Sequence, residues 1–455
     1  MNAVEYALKE LIKTDGEVNS QIIKDLISDN TEDRARLVRL YERYKGSRYG
    51  VPVLTRQFDD KSKVNNKLNN DYFGEIIDIK VGYFAGEPIS YSLPKESEQR
   101  QVDMLDYFRQ VNNVSDLDAE TAKMAAICGY GARLLYIDRD GKERVMNVDP
   151  WECIFITDMS INEPQYAMRY YPVKVKQGSE VKERWRVEWY DNNTVTYFIQ
   201  SATGEYVLDE EGQKQHLFDG VPLVGFPNNE ELIGDAENVV NLIDGYDNTM
   251  SDVNSEIEQF RMAYMYFKGF TVDEDTLQQA KKSGGFEIPE GQDYDIGFIT
   301  KNLNAAYPVD NHLKQVSQNI YKFSKTPDFL DEAFAGSQSG EARKFKMLPF
   351  ENKCATTERK FHASLRQMFK VLATAWAKKG VSIEYTDIDM VFTRNFPLDL
   401  LHEAEIQEKL RGQVSELTRL SLFSAVEDPE AEKEAMAEEQ TVDLDEPVID
   451  DEPTE

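Results

Sequence analysis

The sequence GDAENVVNLIDGYDNTMSDVNSEIEQFRMAYMYF, residues 234–267, decides how the chain is interpreted. Its apolar residues recur at alternating steps of four and three, which is the spacing of a heptad seam on one face of a helix. That seam consists of Val239, Ile243, Tyr246, Met250, Val253, Ile257, Phe260 and Tyr264. The pattern predicts one helix over 234–267, about 45 Å long. Because so long a helix exceeds the needs of a small domain, we expect it to pack on neighbouring helices.

The regions on either side of this helix mix helical and strand patterns, so the fold class is predicted to be α+β and mostly helical. Before it, we expect helices over 1–48 and 69–84, and strands within 131–150, 183–210 and 221–229. After it, the pattern predicts a small α+β insert at 268–309, a helix at 310–323, a second long helix to about 379, a strand-like run at 381–397 and a last helical segment at 399–423. Pro349 lies inside the second long helix and predicts a kink or break there.

The charge is strongly negative: 83 acidic residues stand against 52 basic ones, a net charge of −31. Proteins that grip DNA usually carry a basic balance, because contacts with phosphates supply most of their affinity. The segment from Glu427 to Glu455 holds fourteen carboxylates and one lysine, together with three prolines. Its composition is typical of a disordered acidic tail.

Motifs for catalysis and for metal binding are missing from the sequence. The glycine-rich stretch 336–340 lacks the lysine of a phosphate-binding loop and the spacing of a hydrolase elbow. Asp387 and Asp389 face one side of a predicted strand, but a third metal ligand is not apparent, and a half-exposed strand explains them better. The three cysteines, Cys128, Cys153 and Cys354, form no metal-binding pair and are expected to be buried thiols. A chain of this length without a catalytic constellation is more often a structural protein, and we expect no metal, no cofactor and no membrane span.

Three stretches of the chain resemble the portal proteins of tailed bacteriophages, in particular the portal family of long-tailed phages of Gram-positive bacteria. They are residues 65–91, which include NNDYFGEIIDIKVGYFAGEPISY, residues 223–270 around the heptad helix, and residues 326–369, which include TPDFLDEAFAGSQSGEARKF. They occur in the order and at the spacing of that family, and the resemblance extends over roughly residues 60 to 425.

The resemblance implies a portal fold, with the parts of the chain assigned as follows. A wing would contain residues 1–226, joined by the returning strand within 341–397. Two stem helices, 227–267 and 310–326, would flank a clip at 268–309 that protrudes from the capsid. A tunnel loop at 327–340 would face DNA and lead into a kinked helix. A short helical crown at 398–426 would precede the acidic tail, 427–455.

The implied function is a ring, of twelve subunits in that family, which forms the DNA channel at one vertex of the capsid. Such a ring serves genome packaging, head–tail joining and DNA ejection, so its location is the virion, and the host cytoplasm during assembly. The implied partners are other copies of the chain, double-stranded DNA, the terminase large subunit, a head-completion or adaptor protein, and the major capsid and scaffolding proteins. The ring would have no catalytic activity of its own. Two alternatives stay open on the residues alone: a metal-dependent nuclease, and an acidic capsid scaffold or adaptor protein.

Two groups of residues are candidates for facing DNA. In the tunnel loop they are Phe334, Gly336, Ser337, Gln338, Ser339 and Gly340. On the stem they are the acids Asp244, Asp252, Glu256 and Glu258. Carboxylates that line a channel repel phosphates and keep the duplex mobile. The stem acids are equally well explained as the solvated face of a helix.

Overall fold

The computed structural model describes most of the chain. The described residues are 3–13, 17–48, 57, 64–157, 164–177, 180–261, 264–268, 271–275, 278, 295–299, 306–329, 340–395, 400–423, 426, 429, 432–433 and 435–437. The chain divides into two compact units, Met1–Arg394 and Asn395–Glu455. Helices and small antiparallel sheets alternate along the first unit, which confirms the predicted α+β class.

The helices of the first unit are α1 (Ala3–Lys13), α2 (Ser20–Asp29), α3 (Thr31–Arg48), α4 (Tyr72–Phe84), α5 (Gln99–Val111), α6 (Val114–Cys128), α7 (Val240–Arg261), α8 (Ala306–Ser324) and α9 (Gly340–Lys378). Its strands are β1 (Ser90–Ser92), β2 (Tyr130–Ile137), β3 (Glu143–Val148), β4 (Cys153–Ile156), β5 (Tyr166–Gln177), β6 (Glu180–Tyr190), β7 (Thr194–Gln200), β8 (Tyr206–Gln215), β9 (Leu223–Pro227), β10 (Tyr264–Lys268), β11 (Asp295–Ile299) and β12 (Asp389–Val391).

The strands form four antiparallel sheets. The largest has the order β4-β5-β6-β7-β8, and a second has the order β3-β2-β9. The hairpin between β2 and β3 turns at the predicted Asp140–Gly141, where Gly141 adopts a left-handed φ of 74°. Within the strand-like run at 381–397, the described residues form a strand only at β12, which pairs with β1 almost 300 residues before it. This pairing ties the end of the first unit to its beginning.

Four apolar clusters among the described residues hold these elements together, and three of them involve helices. The first packs α1 and α2 on one face of the large sheet, where Ile22 and Leu26 meet Tyr170 and Trp189. In the second, α9 packs on β2 and β9 through side chains that include Phe361. The third joins α3, α4 and α6 to the start of α7 and the end of α8, through residues such as Ile243 and Ile320. The first turns of α7 therefore belong to the body of the unit. The three cysteines are buried free thiols, as predicted.

The heptad helix is shorter than predicted. A short 3₁₀ turn, Glu237–Val239, leads into α7, which has 22 residues and ends at Arg261. Tyr264, the last residue of the predicted seam, lies instead in β10, which pairs with β11. Aromatic residues favour strands, and four of the five residues of β10 are aromatic or methionine. The seam is buried at Ile243 but exposed at Ile257, which is 44% accessible, so only its first half packs within the chain.

Two further predictions about helices need correction. Of the kink or break predicted at Pro349, the break is absent, since α9 continues through this proline over its 39 residues, whereas the kink stays a prediction. The single segment predicted at 399–423 is two short helices of the second unit, α10 (Leu400–Leu410) and α11 (Glu416–Leu420). Gly412 lies between them with a left-handed φ of 77°, a conformation that ends helices. Of the predicted acidic tail, residues 438–455 lie outside the described residues.

Candidate functional site

The four predicted stem acids lie on α7, but they do not share one environment. Asp244 accepts a hydrogen bond from Arg43 of α3 at 2.6 Å, and Glu258 accepts one from the side chain of Asn66 at 2.8 Å. Asp252 and Glu256 are exposed, one turn apart on the same side of the helix. Their position on an accessible face agrees with a channel lining and equally with a solvated helix face.

A second face of α7 is covered by an extended segment, residues 64–70. Three polar side chains spaced four residues apart on the helix accept backbone N–H groups spaced two residues apart on the segment. Asp247 accepts from Asn70 at 3.0 Å, Ser251 accepts from Leu68 at 2.9 Å, and Ser255 accepts from Asn66 at 3.0 Å.

The two spacings match closely enough for all three hydrogen bonds to form, and we call this set of bonds the ladder. Four residues of helix rise about 6 Å, and two residues of extended chain advance about 6.6 Å. All three side chains are buried, and the hydroxyls of Ser251 and Ser255 also donate to the helix carbonyls four residues earlier. This face of α7 is therefore occupied within the chain itself.

Of the predicted tunnel-loop residues, Phe334, Gly336, Ser337, Gln338 and Ser339 lie outside the described residues. Gly340 is described, and it is the first residue of α9. The predicted loop therefore leads directly into the long helix.

Three charged groups meet in a buried junction where α4, α8, α9 and the start of α7 converge. The ammonium of Lys80, on α4, lies 2.7 Å from Oδ2 of Asp235. The ammonium of Lys353, on α9, lies 2.9 Å from Oδ1 of the same carboxylate and donates to the carbonyl of Ser324, the last residue of α8, at 2.8 Å. Lys80 also donates to Oδ1 of Asn228 at 2.5 Å and to the hydroxyl of Thr357 at 2.7 Å.

The electrostatics of the junction follow from its burial. Burial alone would raise the pKa of Asp235, but the ammonium groups of Lys353 and Lys80 outweigh it and hold this pKa below its usual value. Burial lowers the pKa of Lys80, although the carboxylate of Asp235 opposes that shift. Removing one partner of such a buried pair leaves an uncompensated charge, so the junction resists the separation of its helices.

Lys353 has a further role at the ends of two helices. Its ammonium neutralises the carbonyl end of α8, while Asp235 places a carboxylate just before the 3₁₀ turn that begins α7. Both placements suit the helix dipole. The junction therefore fixes the two helices that run out of the body, and it fixes them to α9.

Among the described residues, no group of three or more histidine, cysteine, aspartate or glutamate side chains has the geometry to hold a metal ion. Asp387 and Asp389 are both exposed. A search of the same residues finds no helix that is both long enough and apolar enough to span a membrane.

Comparison with known proteins identifies the family. The family described as "Phage portal protein, SPP1 Gp6-like" matches residues 23–443 of this chain. The chain belongs to this family of phage portal proteins. It is 25% identical over 460 residues to the portal protein of Bacillus phage SPP1, covering 94% of this chain and 88% of the relative. It is 24% identical over 448 residues to the portal protein of the Clostridium phage phiCD119, covering 92% of this chain and 96% of the relative.

Membership confirms the predicted portal fold and portal function. Portal proteins are structural components of the virion rather than enzymes, and the family implies an oligomeric ring with capsid and packaging partners.

No sequence pattern predicted that the three charged residues of the junction would meet. Lys80, Asp235 and Lys353 have no spacing motif in common, since they are far apart in the chain. Each nevertheless lies in a different one of the three stretches that carry the portal resemblance: 65–91, 223–270 and 326–369. Charged residues within otherwise apolar helical patterns were the available signal, since a buried lysine requires a partner.

Proposed function

We propose that this portal protein assembles into a ring of twelve copies, which forms the channel for double-stranded DNA at one vertex of the capsid. The ring would dock the terminase large subunit during packaging, and later a head-completion or adaptor protein for head–tail joining and DNA ejection. It would contact the major capsid and scaffolding proteins, and it would pass from the host cytoplasm, where it assembles, into the virion. We infer no catalytic activity of its own.

The accessibility of α7 carries the channel proposal. One face of this helix packs in the apolar cluster with Ile320, and a second is covered by residues 64–70. Asp244 and Glu258 lie toward the covered face, where Glu258 accepts a hydrogen bond from Asn66. The face that stays accessible carries the acids Asp252 and Glu256. We propose that this acidic face lines the channel, where it repels phosphates and lets the duplex slide.

We propose the division into wing, stem, clip, tunnel loop and crown given above, and the junction supports one part of it, the pairing of α7 with α8. The helices α7 and α8 would be the stem, and β10 with β11 would begin the clip, which moves its proposed start from residue 268 to Tyr264. The loop 327–340, with Phe334 and residues 336–340, would contact DNA. A movement of this loop would displace α9. Because Lys353 binds both Asp235 and the end of α8, a displacement of α9 would also shift both stem helices.

Electron microscopy of the purified chain tests this proposal first. We expect rings with a central hole wide enough for a DNA duplex and, in two-dimensional averages, twelve-fold symmetry. Rings of another symmetry would refute the subunit number alone. Incubation of the same sample with duplex DNA and Mg²⁺ should leave the DNA intact. Cleavage that is abolished by a chelator, from a chain that forms no rings, would support the nuclease alternative instead.

A further inference from the structure

The end of α8 and the first turns of α9 form an exposed apolar surface within the first unit. Phe345 is 74% accessible, the most exposed large apolar side chain among the described residues, and Leu348 is 51% accessible. Phe323, near the end of α8, is also 51% accessible. We name this surface the α8–α9 face.

The α8–α9 face is continuous. Phe345, Leu348 and Asn352 follow one another at helical spacings of three and four, so they lie along one side of α9. Further along that side, Pro349 and Asn352 line a cleft of about 460 Å³, and Phe323 and Lys325 at the end of α8 also line it. The cleft is large enough to admit a side chain from a partner.

The α8–α9 face also carries three exposed lysines, in a chain whose net charge is −31, while the acids Glu231 and Asp235 line its cleft. Lys322, Lys325 and Lys346 are exposed on it, and the ammonium of Lys322 lies 5.8 Å from the centre of the Phe323 ring. Most of the remaining surface must carry the excess of carboxylates. A second copy of the chain therefore offers the opposite charge, which guides and orients association.

We propose that the α8–α9 face is the surface on which the neighbouring copy packs in the ring. This inference rests on the proposed function, since it names the surface by which the ring forms. A ring has a head-to-tail interface that joins two different surfaces of the same chain. The α8–α9 face is one of these surfaces, and an acidic surface elsewhere on the neighbour is the other.

The apolar side chains favour a protein partner over DNA. Phosphate backbones are bound mainly by cations and polar donors. Phe323 lines the cleft, and the exposed Phe345 and Leu348 precede it on α9. Large exposed apolar side chains of this kind are instead typical of the centre of a protein interface, where cations lie at the rim. Exposed apolar surface of this kind is uncommon on a protein that stays monomeric.

Substitution of the apolar side chains tests the inference. We expect the double variant Phe345→Ser/Leu348→Ser of the full chain to keep its circular dichroism spectrum and melting temperature, because both side chains are exposed. Its rings should form only at protein concentrations at least tenfold higher than wild type, as measured by analytical ultracentrifugation and electron microscopy. The matched control is Leu208→Ser, at a leucine of β8 that is 59% accessible, and it should assemble like wild type.

Mixing experiments test the head-to-tail arrangement. The double variant still presents the second surface, so it should add to the open end of a growing wild-type arc and block closure. A small molar fraction of the variant should therefore lower the yield of complete rings by more than its own share.

The possible outcomes separate the two proposals. If the double variant and wild type form rings at the same concentration, the inference is overturned and the proposed function stands. Unchanged rings with weaker binding of duplex DNA would assign the α8–α9 face to DNA instead. If wild type stays monomeric at every concentration, the proposed function fails, and this inference fails with it.

Discussion

Lys353 on α9 binds the carboxylate of Asp235, which lies 118 residues earlier in the chain and just before the start of α7. The same carboxylate is bound by Lys80 on its other oxygen. One carboxylate thus binds two ammonium groups, one fully buried on α4 and one in the lining of the cleft beside α8. Helix α4, the start of α7, the end of α8 and the long helix α9 are joined around this single group.

Replacement of Asp235 by alanine should destabilise the protein by about 3–5 kcal/mol, because it leaves the buried ammonium of Lys80 without a counter-charge. Urea unfolding, followed by circular dichroism at fixed protein concentration, measures this change. The control is Glu230→Ala, which removes the partner of Lys360, another α9 lysine, from an exposed ion pair. We expect little change for the control, since exposed pairs are screened by solvent. Equal midpoints for the two variants would contradict the assigned role of the junction.

The same carboxylate predicts how stability depends on pH. The pKa of Asp235 is lower in the folded chain than its unfolded value of about 3.9. The contribution of Asp235 to the free energy of unfolding is therefore complete above the unfolded pKa, and it is lost as the pH falls through the folded pKa. Wild type and Asp235→Asn should differ fully at pH 5 and above, and their unfolding midpoints should begin to converge as the pH falls below about 4 toward the folded pKa. A difference that stays constant down to pH 2 would show that the charge of Asp235 is not involved.

Local signals predicted most elements, and long-range contacts account for the errors. Helix α4 and the hairpin at Asp140–Gly141 follow from apolar spacing and turn chemistry, which depend on near neighbours. The end of α7 was misplaced because Tyr264 fits a heptad by spacing, whereas its pairing with Ile299 decides the strand. The junction could not be predicted, because the meeting of Lys80 with Asp235 depends on how separate elements pack. The polar residues Asp247, Ser251 and Ser255 follow a helical spacing in the sequence. Residues 64–70, which cover them, have no sequence pattern that indicates a segment packed on a helix.

Replacement of Ser251 by alanine should weaken the ladder between α7 and residues 64–70. The variant leaves the backbone N–H of Leu68 without its acceptor, which costs about 1–3 kcal/mol for a buried group. Hydrogen exchange should also become faster for the amides of 66–70. Thr249→Ala is the control, because the hydroxyl of Thr249 donates to the carbonyl of Gly245 in its own helix. Protection of Leu68 that is equal in both variants would contradict the ladder.

Gly129 should tolerate alanine much less well than Gly141, although both have a left-handed φ, 91° and 74° respectively. A methyl group on Gly129 would lie 2.0 Å from the carbonyl oxygen of Leu232, in the segment that leads to Asp235, whereas Gly141 has open space. We expect Gly141→Ala to cost about 1–2 kcal/mol from backbone strain alone. Gly129→Ala should cost clearly more, since backbone atoms must move. Thermal unfolding of the two variants measures both losses of stability. Equal losses would show that the backbone around Leu232 moves at little energetic cost.

Charge reversal on the accessible face of α7 tests the channel lining. If Asp252 and Glu256 line the channel, rings of the double variant Asp252→Lys/Glu256→Lys should retain duplex DNA that wild-type rings release. Each phosphate newly contacted should add about 0.9 to the slope of log affinity against log salt. The control is Asp116→Lys/Glu120→Lys on α6, which reverses two exposed acids at the same helical spacing. Both doubles change the net charge equally, so a general electrostatic effect would strengthen DNA binding in both. Tighter and more salt-dependent binding by the α7 variant alone would locate the DNA path along that helix. Equal binding by the two variants would show that Asp252 and Glu256 do not line the DNA path.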